Sequence, residues 1–511
     1  MKKSIYVFLG ILFILLQCAS AQWRDREWQL SVSYYVVDST IPTNAATFTT
    51  TTIDTFSLIR PLSLRMTDAG ICDTSGNLLF YTNAIAIANR NHDTLMNSQN
   101  FNPGYGTNYY SPYGFNLMQM ALIIPHPDSA NLYDIFHESF EVMNHPDSPS
   151  WNIYQPTHLS YSIADMTLDG GLGGINNVKN DTLLIDTLLN GRLTACKHGN
   201  GRDWWILVHK YYSNTIYKIL LTPQGPYLHS FQNIGPPTPD ILDYFGQNCF
   251  SPDGSKYAIA LARTQTVNLF DFDRCTGLLS NHRSVTIMDS TAGFLGCSFS
   301  PNSRFLYVSD ALYVYQFDTT VPVLDSSQIT VAVYDGYIGV FQTRFFYHQL
   351  AHDGTIYLST AGGDSVLHQI NFPDSAGIAC NVTQHSVKLT YYGNATLNTY
   401  PNYNLGAWAG SPCDTLTGLP HLNPSASWRR GLKIFPNPND GNFVISYVLP
   451  QNKDGTLEIF DVEGRKVFSK ILPQWSTLQQ IKLSKLADGI YNCVITSGNE
   501  RAYKKVAVIN E

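Results

Sequence analysis

A chain of 511 residues exceeds one small core and implies two to four units, or one large repeat array with an appendage. Charged residues are only 14%, Tyr (31) and Phe (26) are abundant, and there is no long stretch of alternating Glu and Lys, so β structure is favoured over helix. Without Lys2 and Lys3, 30 basic residues face 39 acidic ones; a net charge of −9 argues against nucleic-acid binding.

Lys2 and Lys3 precede an apolar run over 5–16, and Ala19-Ser20-Ala21 offers small residues for cleavage before Gln22. Residues 1–21 therefore read as a signal peptide, cut after Ala21 with Ala19 at the companion small position. A lipoprotein reading would use Cys18, but Gln17 fits that poorly. No later segment approaches the roughly 20 apolar residues of a membrane helix, so none is expected in the mature chain. Eight cysteines remain after cleavage. Their wide spacing and the lack of CxxC argue against structural zinc. Cys275 with Cys297 and Cys380 with Cys413 are the pairs that the order suggests, beside the alternative of isolated buried thiols.

Residues 28–37 read as a strand and 47–55 as a polar loop. The clearest unit is Phe250-Ser251-Pro252-Asp253-Gly254, a turn, followed by the strand-like 256–260. Counterparts of Gly254 are Gly76, Ser129, Gly201, Ser303 and Gly354, at intervals of 53, 72, 53, 49 and 51 residues. A period near 50 with about four strands per unit predicts an all-β fold, a β-propeller over 22–410. Third strands show at 215–221, 266–273 and 312–318. Six turns are clear, and the N-terminal strand with residues 405–408 would complete a seventh blade by pairing the chain ends; six and eight blades stay open. Gly170-Gly171-Leu172-Gly173-Gly174 opens no helix after a strand, and so reads as a turn rather than a dinucleotide site.

Residues 73–97, with Leu159-Ser160-Tyr161-Ser162 and Lys197-His198-Gly199-Asn200-Gly201-Arg202-Asp203-Trp204-Trp205, resemble the propeller-like N-terminal region of large secreted or surface proteins of Bacteroidetes. The Phe-Ser-Pro-Asp-Gly corner resembles those of WD-like and TolB-like propellers. This resemblance implies architecture and brings no catalytic residues.

Residues 411–430, with Pro412, Gly418, Pro420 and Pro424, read as a linker. Residues 431–511 carry 10 basic and 8 acidic residues, a net of +2 that leaves −11 elsewhere. Alternation gives about seven short strands, a small β-sandwich. Pro436-Asn437-Pro438 with Gly441, Asp461 with Gly464, Gly489 with Tyr491, and Lys504-Lys505 follow in order. In that order they resemble the type A C-terminal sorting domain of the type IX secretion system. The resemblance implies that this secretion machinery is a partner and that the chain ends up secreted or at the cell surface by way of the periplasm.

There is no HExxH, GxSxG, P-loop or EF-hand pattern. His126, His137, His145, His158, His198 and His209 lack diagnostic spacing and read as core or loop residues. Asp271 and Asp273 read as turn caps rather than paired carboxylates. Tyr109-Tyr110, Trp204-Trp205, Tyr211-Tyr212 and Tyr391-Tyr392 suit either a core or a sugar-stacking platform. Asp followed by Ser or Thr recurs, as at Asp93-Thr94-Leu95, Asp181-Thr182-Leu183 and Asp318-Thr319-Thr320. That looks like the O-glycosylation acceptor pattern of Bacteroidetes, although the same dipeptides suit turns. The expectation is an exported, non-catalytic propeller that recognises a glycan or protein, without cofactor or metal. The alternatives are a secreted hydrolase or lyase with its site in the propeller channel, and a structural surface protein.

Overall fold

The computed structural model describes residues 22–30, 42–145, 148–238, 245–287, 293–393, 395–414, 432–447, 449, 453–473, 478–483, 486–497 and 500–508. The expected signal segment with Ala19 and Ala21, residues 31–37 of the strand expected over 28–37, and most of the expected linker lie outside these residues. Two compact units divide the chain, Met1–Thr415 and Leu416–Glu511. Among the described residues, no helix is long and apolar enough to cross a membrane.

The burial of single strands dictates how the first unit is assembled. Leu78–Thr82, Trp204–His209, Phe305–Ser309 and Ile356–Thr360 are buried at every position. Successive side chains of a strand point to opposite faces, so such strands need a neighbouring sheet on each side. Gly225–Asn233 and Ile329–Val333, the fourth strands of their sheets, are largely exposed and form the rim.

Seven sheets of three or more strands meet this requirement among the described residues of the unit. The first holds Glu27–Leu30, Thr43–Phe48 and Ile53–Leu58, and the second Ala69–Cys72, Leu78–Thr82 and Ile87–Asn89. The third is built on Ala121–Pro125, Leu132–Glu138 and His158–Asp165. The fourth starts at Thr194–Lys197, the fifth at Asn248–Phe250, the sixth at Gly296–Phe299 and the seventh at Phe345–Leu350, each with four antiparallel strands in chain order. Apolar clusters fill the spaces between successive sheets, and the last space joins the ends of the ring. There Trp28 and Phe48 of the first sheet meet Tyr357 of the seventh, with ring centroids 5.8 and 5.3 Å apart. These contacts close the ring of sheets, and the unit is a β-propeller.

All six repeated turns join the first strand of a sheet to its second. In each, the N–H of Gly76, Ser129, Gly201, Gly254, Ser303 or Gly354 donates to the carbonyl three residues earlier, at 2.8 to 3.1 Å. Gly254 sits at φ +73°. The Asp253 carboxylate accepts from Ser251 Oγ (2.6 Å) and Ser255 N (2.9 Å), fixing the corner as a turn.

Three expectations are corrected. Residues 47–55 are no loop, because Thr43–Phe48 and Ile53–Leu58 pair through a tight turn at Thr49–Thr52. The first sheet thus comes wholly from the N-terminal region. Residues 405–408 lie in no strand; Trp408 N donates to Gly199 O at 2.7 Å instead. Neither expected disulfide forms, and Cys275 is bonded to Cys413. Arg274 is the physical reason: it donates to Lys197 O, His198 O and Gly406 O, drawing the chain after Leu405 to the fourth and fifth sheets. Cys297 and Cys380 are buried elsewhere.

Among its described residues, the second unit is a sandwich of seven strands. One sheet holds Lys433–Phe435, Asn442–Ser446 and Leu478–Lys482; the other orders Lys466–Leu472, Gly455–Phe460, Gly489–Ser497 and Glu500–Val508. Ile434, Phe443, Ile445 and Ile481 from one sheet meet Leu457, Ile459, Cys493, Ile495 and Val506 from the other. These are alternate positions, as a half-buried strand requires.

Candidate functional site

The first strands of the fourth to seventh sheets line a cavity of about 300 Å³ at the hub. Corner residues Pro252, Pro301 and Gly354 line it, and residues 399–405 run along one wall. That segment and Asn398 before it are hydrogen-bonded to three sheets and to residues beside two others. Asn398 donates to Asp68 (2.6 Å), Tyr400 to Glu27 O (2.9 Å), Asn402 to Pro252 O (2.7 Å) and Tyr403 to Ile123 O (2.9 Å), while Thr399 and Tyr347 share a hydroxyl contact at 2.7 Å.

Two glutamines brace the wall. Gln119 donates to Asn248 O (3.0 Å) and accepts from Asn248 N (3.1 Å); Gln247 donates to His348 O (2.6 Å) and accepts from His348 N and Cys297 N (3.0 Å each). These amides are spent on backbone groups that would otherwise be buried unpaired, so they hold the ring closed. His348 is likewise structural, with Nε2 2.8 Å from Ser309 Oγ. Burial pushes it down to about 3, which keeps the ring neutral near pH 7.

At the corner end, Asp25 Oδ1 approaches His352 Nδ1 at 3.6 Å, and the Trp23 ring lies 3.9 Å from the His352 ring. Asp25 is the one carboxylate among the lining residues. The cavity therefore offers amides, hydroxyls, rings and one carboxylate–imidazole pair. Such a surface suits an uncharged ligand rich in hydroxyl groups. Asp25 and His352 lie far apart in sequence. His352 belongs to a repeated corner, but Asp25 carries no pattern that would have singled it out.

The remaining candidates are scattered. Asp134 accepts from His126 at 2.8 Å, His209 meets Tyr257 OH at 2.7 Å, and His198 meets Cys275 O at 3.0 Å. His137 and His145 are buried, and His158 Nδ1 is 3.2 Å from Thr157 Oγ1. Among the described residues no group of three His, Cys, Asp or Glu is placed to hold a metal. Asp273 Oδ1 accepts from Cys275 N (2.7 Å) and so caps a turn, whereas Asp271 pairs with Arg283 (2.9 Å). Trp204, Trp205 and Tyr211 belong to the core; Tyr109, Tyr212 and Tyr392 are exposed. Thr94 and Thr182 are exposed, while Thr319 is buried and donates to Arg304 O.

In the second unit the motif residues meet across the chain. Asn437 donates to Lys505 O (3.1 Å) and accepts from Ala507 N (2.8 Å), binding the Pro436-Asn437-Pro438 segment to the last strand. Asn439 N donates to Ala507 O, and Asn439 Oδ1 accepts from Gly441 N. Gly441 sits at φ +88°, where a Cβ would lie 2.5 Å from Leu483 O. Asp461 accepts from the Glu463 and Arg465 N–H groups and from Arg465 Nε, closing the hairpin at Gly464, φ +79°. Tyr491 is buried and donates to Ala487 O (2.8 Å). Gly489 pairs with Val508, and Lys504 and Lys505 stand opposite Cys493 and Asn492. This segment matches the family model described as the secretion system C-terminal sorting domain.

Residues 433–510 are that sorting domain. It marks the chain for export by the type IX secretion system to the cell surface or the extracellular space. The chain has no match among curated proteins. Among solved structures, a Lactobacillus plantarum protein is similar at 12% identity and TM-score 0.43, covering 73% of this chain and 98% of its own. A putative 6-phosphogluconolactonase from Bacteroides uniformis gives 13%, 0.44, 73% and 98%. The periplasmic gluconolactonase of Pseudomonas aeruginosa gives 12%, 0.32, 89% and 99%.

Proposed function

We propose that this protein is an exported recognition module, a seven-bladed propeller that binds a glycan in its hub cavity and is delivered by its sorting domain. The observation that carries the reading is the cavity lining. Asn402, Asn404, Tyr400 and His352 line about 300 Å³ with a single carboxylate, and the Trp23 ring lies 3.9 Å from the His352 ring. In the sorting domain, Pro436, Asn437, Pro438, Gly441, Asp461, Gly464, Gly489 and Tyr491 shape the surface that the machinery reads, with Lys504 and Lys505 on its last strand. The domain limits follow: propeller over 22–410, linker over 411–430 and sorting domain over 431–511.

A glycan array probed with the mature chain tests the ligand. Binding that His352→Ala weakens at least about tenfold supports the cavity, since each 1.4 kcal/mol is a factor of ten. Binding that this variant leaves unchanged would move the site elsewhere, and a blank array would remove the glycan. Deleting residues 431–511 tests delivery separately, and continued export would refute the sorting role.

A second reading rests on the Asp25–His352 pair, whose two side chains could work as acid and base in a hydrolase or lyase. Turnover of a bound glycan that Asp25→Asn abolishes would favour it.

A further inference from the structure

We propose that Cys249 and Cys297 join as a second disulfide in the exported protein, tying the fifth sheet to the sixth at the wall of the hub cavity. Their sulfurs lie 3.7 Å apart, and both residues line the cavity. Each belongs to the first strand of its sheet, Asn248–Phe250 or Gly296–Phe299. These strands run side by side, with a parallel bridge between Gly246 and Leu295 and with Leu295 N donating to Phe245 O.

Strand alternation explains the encounter. The Gly254 and Ser303 corners are 49 residues apart, but the two cysteines are 48 apart. Cys297 therefore stands one residue out of step with Cys249 in the repeat. One step reverses the face of a strand, so one thiol points forward from the fifth sheet and the other back from the sixth. Cysteines at equivalent repeat positions would both point the same way round the ring. Closing from 3.7 Å to the bonding distance of about 2.0 Å is a local side-chain adjustment.

Chemistry and route agree. The chain crosses the periplasm, where thiols meet oxidising protein disulfides. One cysteine thiolate attacks such a disulfide and forms a mixed disulfide; the second thiolate then displaces the carrier. Two S–H bonds are lost and one S–S bond forms. The carrier's S–S bond breaks in exchange, and it departs as a dithiol with the two electrons and, through solvent, the equivalent of the two protons. The hydrogen bond with Cys297, together with burial, holds the Cys249 thiol well above its ordinary range in the folded protein. The reaction therefore belongs to the folding chain, before the two sheets close.

The test uses the exported full chain, collected into N-ethylmaleimide, digested without reduction and mapped by mass spectrometry. The expected product is a peptide pair joined through Cys249 and Cys297, lighter by two hydrogen atoms than its separate parts. The Cys249→Ser chain should lose that pair and keep the one joining Cys275 to Cys413. Alkylation of both Cys249 and Cys297 in the exported chain, or linkage of either to another cysteine, would overturn the proposal.

Discussion

Asn437 holds Ala507 through its side-chain amide, accepting the Ala507 N–H at 2.8 Å while donating to Lys505 O at 3.1 Å. This side chain and the Asn439 backbone, whose N–H donates to Ala507 O, together cover the outer edge of Glu500–Val508, whose other flank pairs with Gly489–Ser497.

Asn437→Ala removes both bonds and should cost about 1–3 kcal/mol of the sorting domain's stability. Hydrogen exchange is the direct measurement, since the Ala507 amide should exchange faster while amides of the propeller do not change. Asn437→Asp keeps the acceptor and loses the donor, so it should fall between the two.

Gly441→Ala should be worse. The residue sits at φ +88°, and the new methyl would meet Leu483 O at 2.5 Å. Strain and collision together should cost roughly 2–4 kcal/mol and lower the exported amount of the protein. Gly464→Ala, at φ +79° with open space around it, should cost only about 1 kcal/mol. Equal export of the two variants would show that the Gly441 contact is unimportant.

The same comparison applies to the propeller corners. At Gly254 a Cβ would meet Cys196 Sγ, Arg274 Cδ and Leu405 Cδ2 within 3 Å, but at Gly354 it would meet nothing within 4 Å. Gly254→Ala should therefore lower the denaturant midpoint by more than Gly354→Ala, which should lose about 1 kcal/mol. Differential unfolding by urea, followed by Trp fluorescence, checks the order.

Acid should destabilise the propeller. Burial pushes His137, His209 and His348 down to about 3, whereas an unfolded His titrates near 6.5. The unfolded state binds the extra protons, so the stability from these three is full above pH 6.5 and falls as pH drops from there toward 3. Each contributes a slope of up to about 1.4 kcal/mol per pH unit. Burial pushes Glu138 up to about 8, which acts in the opposite direction: its stabilisation is full below about pH 4.5 and is lost as pH rises through 8. Of these four groups the three imidazoles outweigh the carboxyl; burial also lowers His368 to about 4 and raises Asp68, Asp134 and Glu27, so the imidazoles lead the loss on acidification. Urea midpoints at pH 7 and pH 5 measure it, and an unchanged midpoint would contradict the burial of these rings.

Much of the chain's organisation was legible in the residues themselves. The six corners share one backbone hydrogen bond because Pro, Asp, Asn and Gly act over three or four residues, a range that sequence displays directly. The seven strands of the sorting domain and its ordered motif were readable for the same reason. The first sheet was not, because Thr43–Phe48 and Ile53–Leu58 carry Thr and Asn where other sheets carry apolar runs, and only their place beside the seventh sheet makes them strands. The corner pattern likewise could not show that residues 399–405 run along the cavity wall.

By itself the sequence determined a repeated β unit, an export address and the absence of familiar catalytic motifs, all set by local spacing. Only the tertiary structure decided which distant groups meet. It brought Asp25 to His352, Asn437 to Ala507, Cys275 to Cys413 and Cys249 to Cys297. Ring closure and sandwich packing set those distances, and neither depends on how far apart two residues lie along the chain.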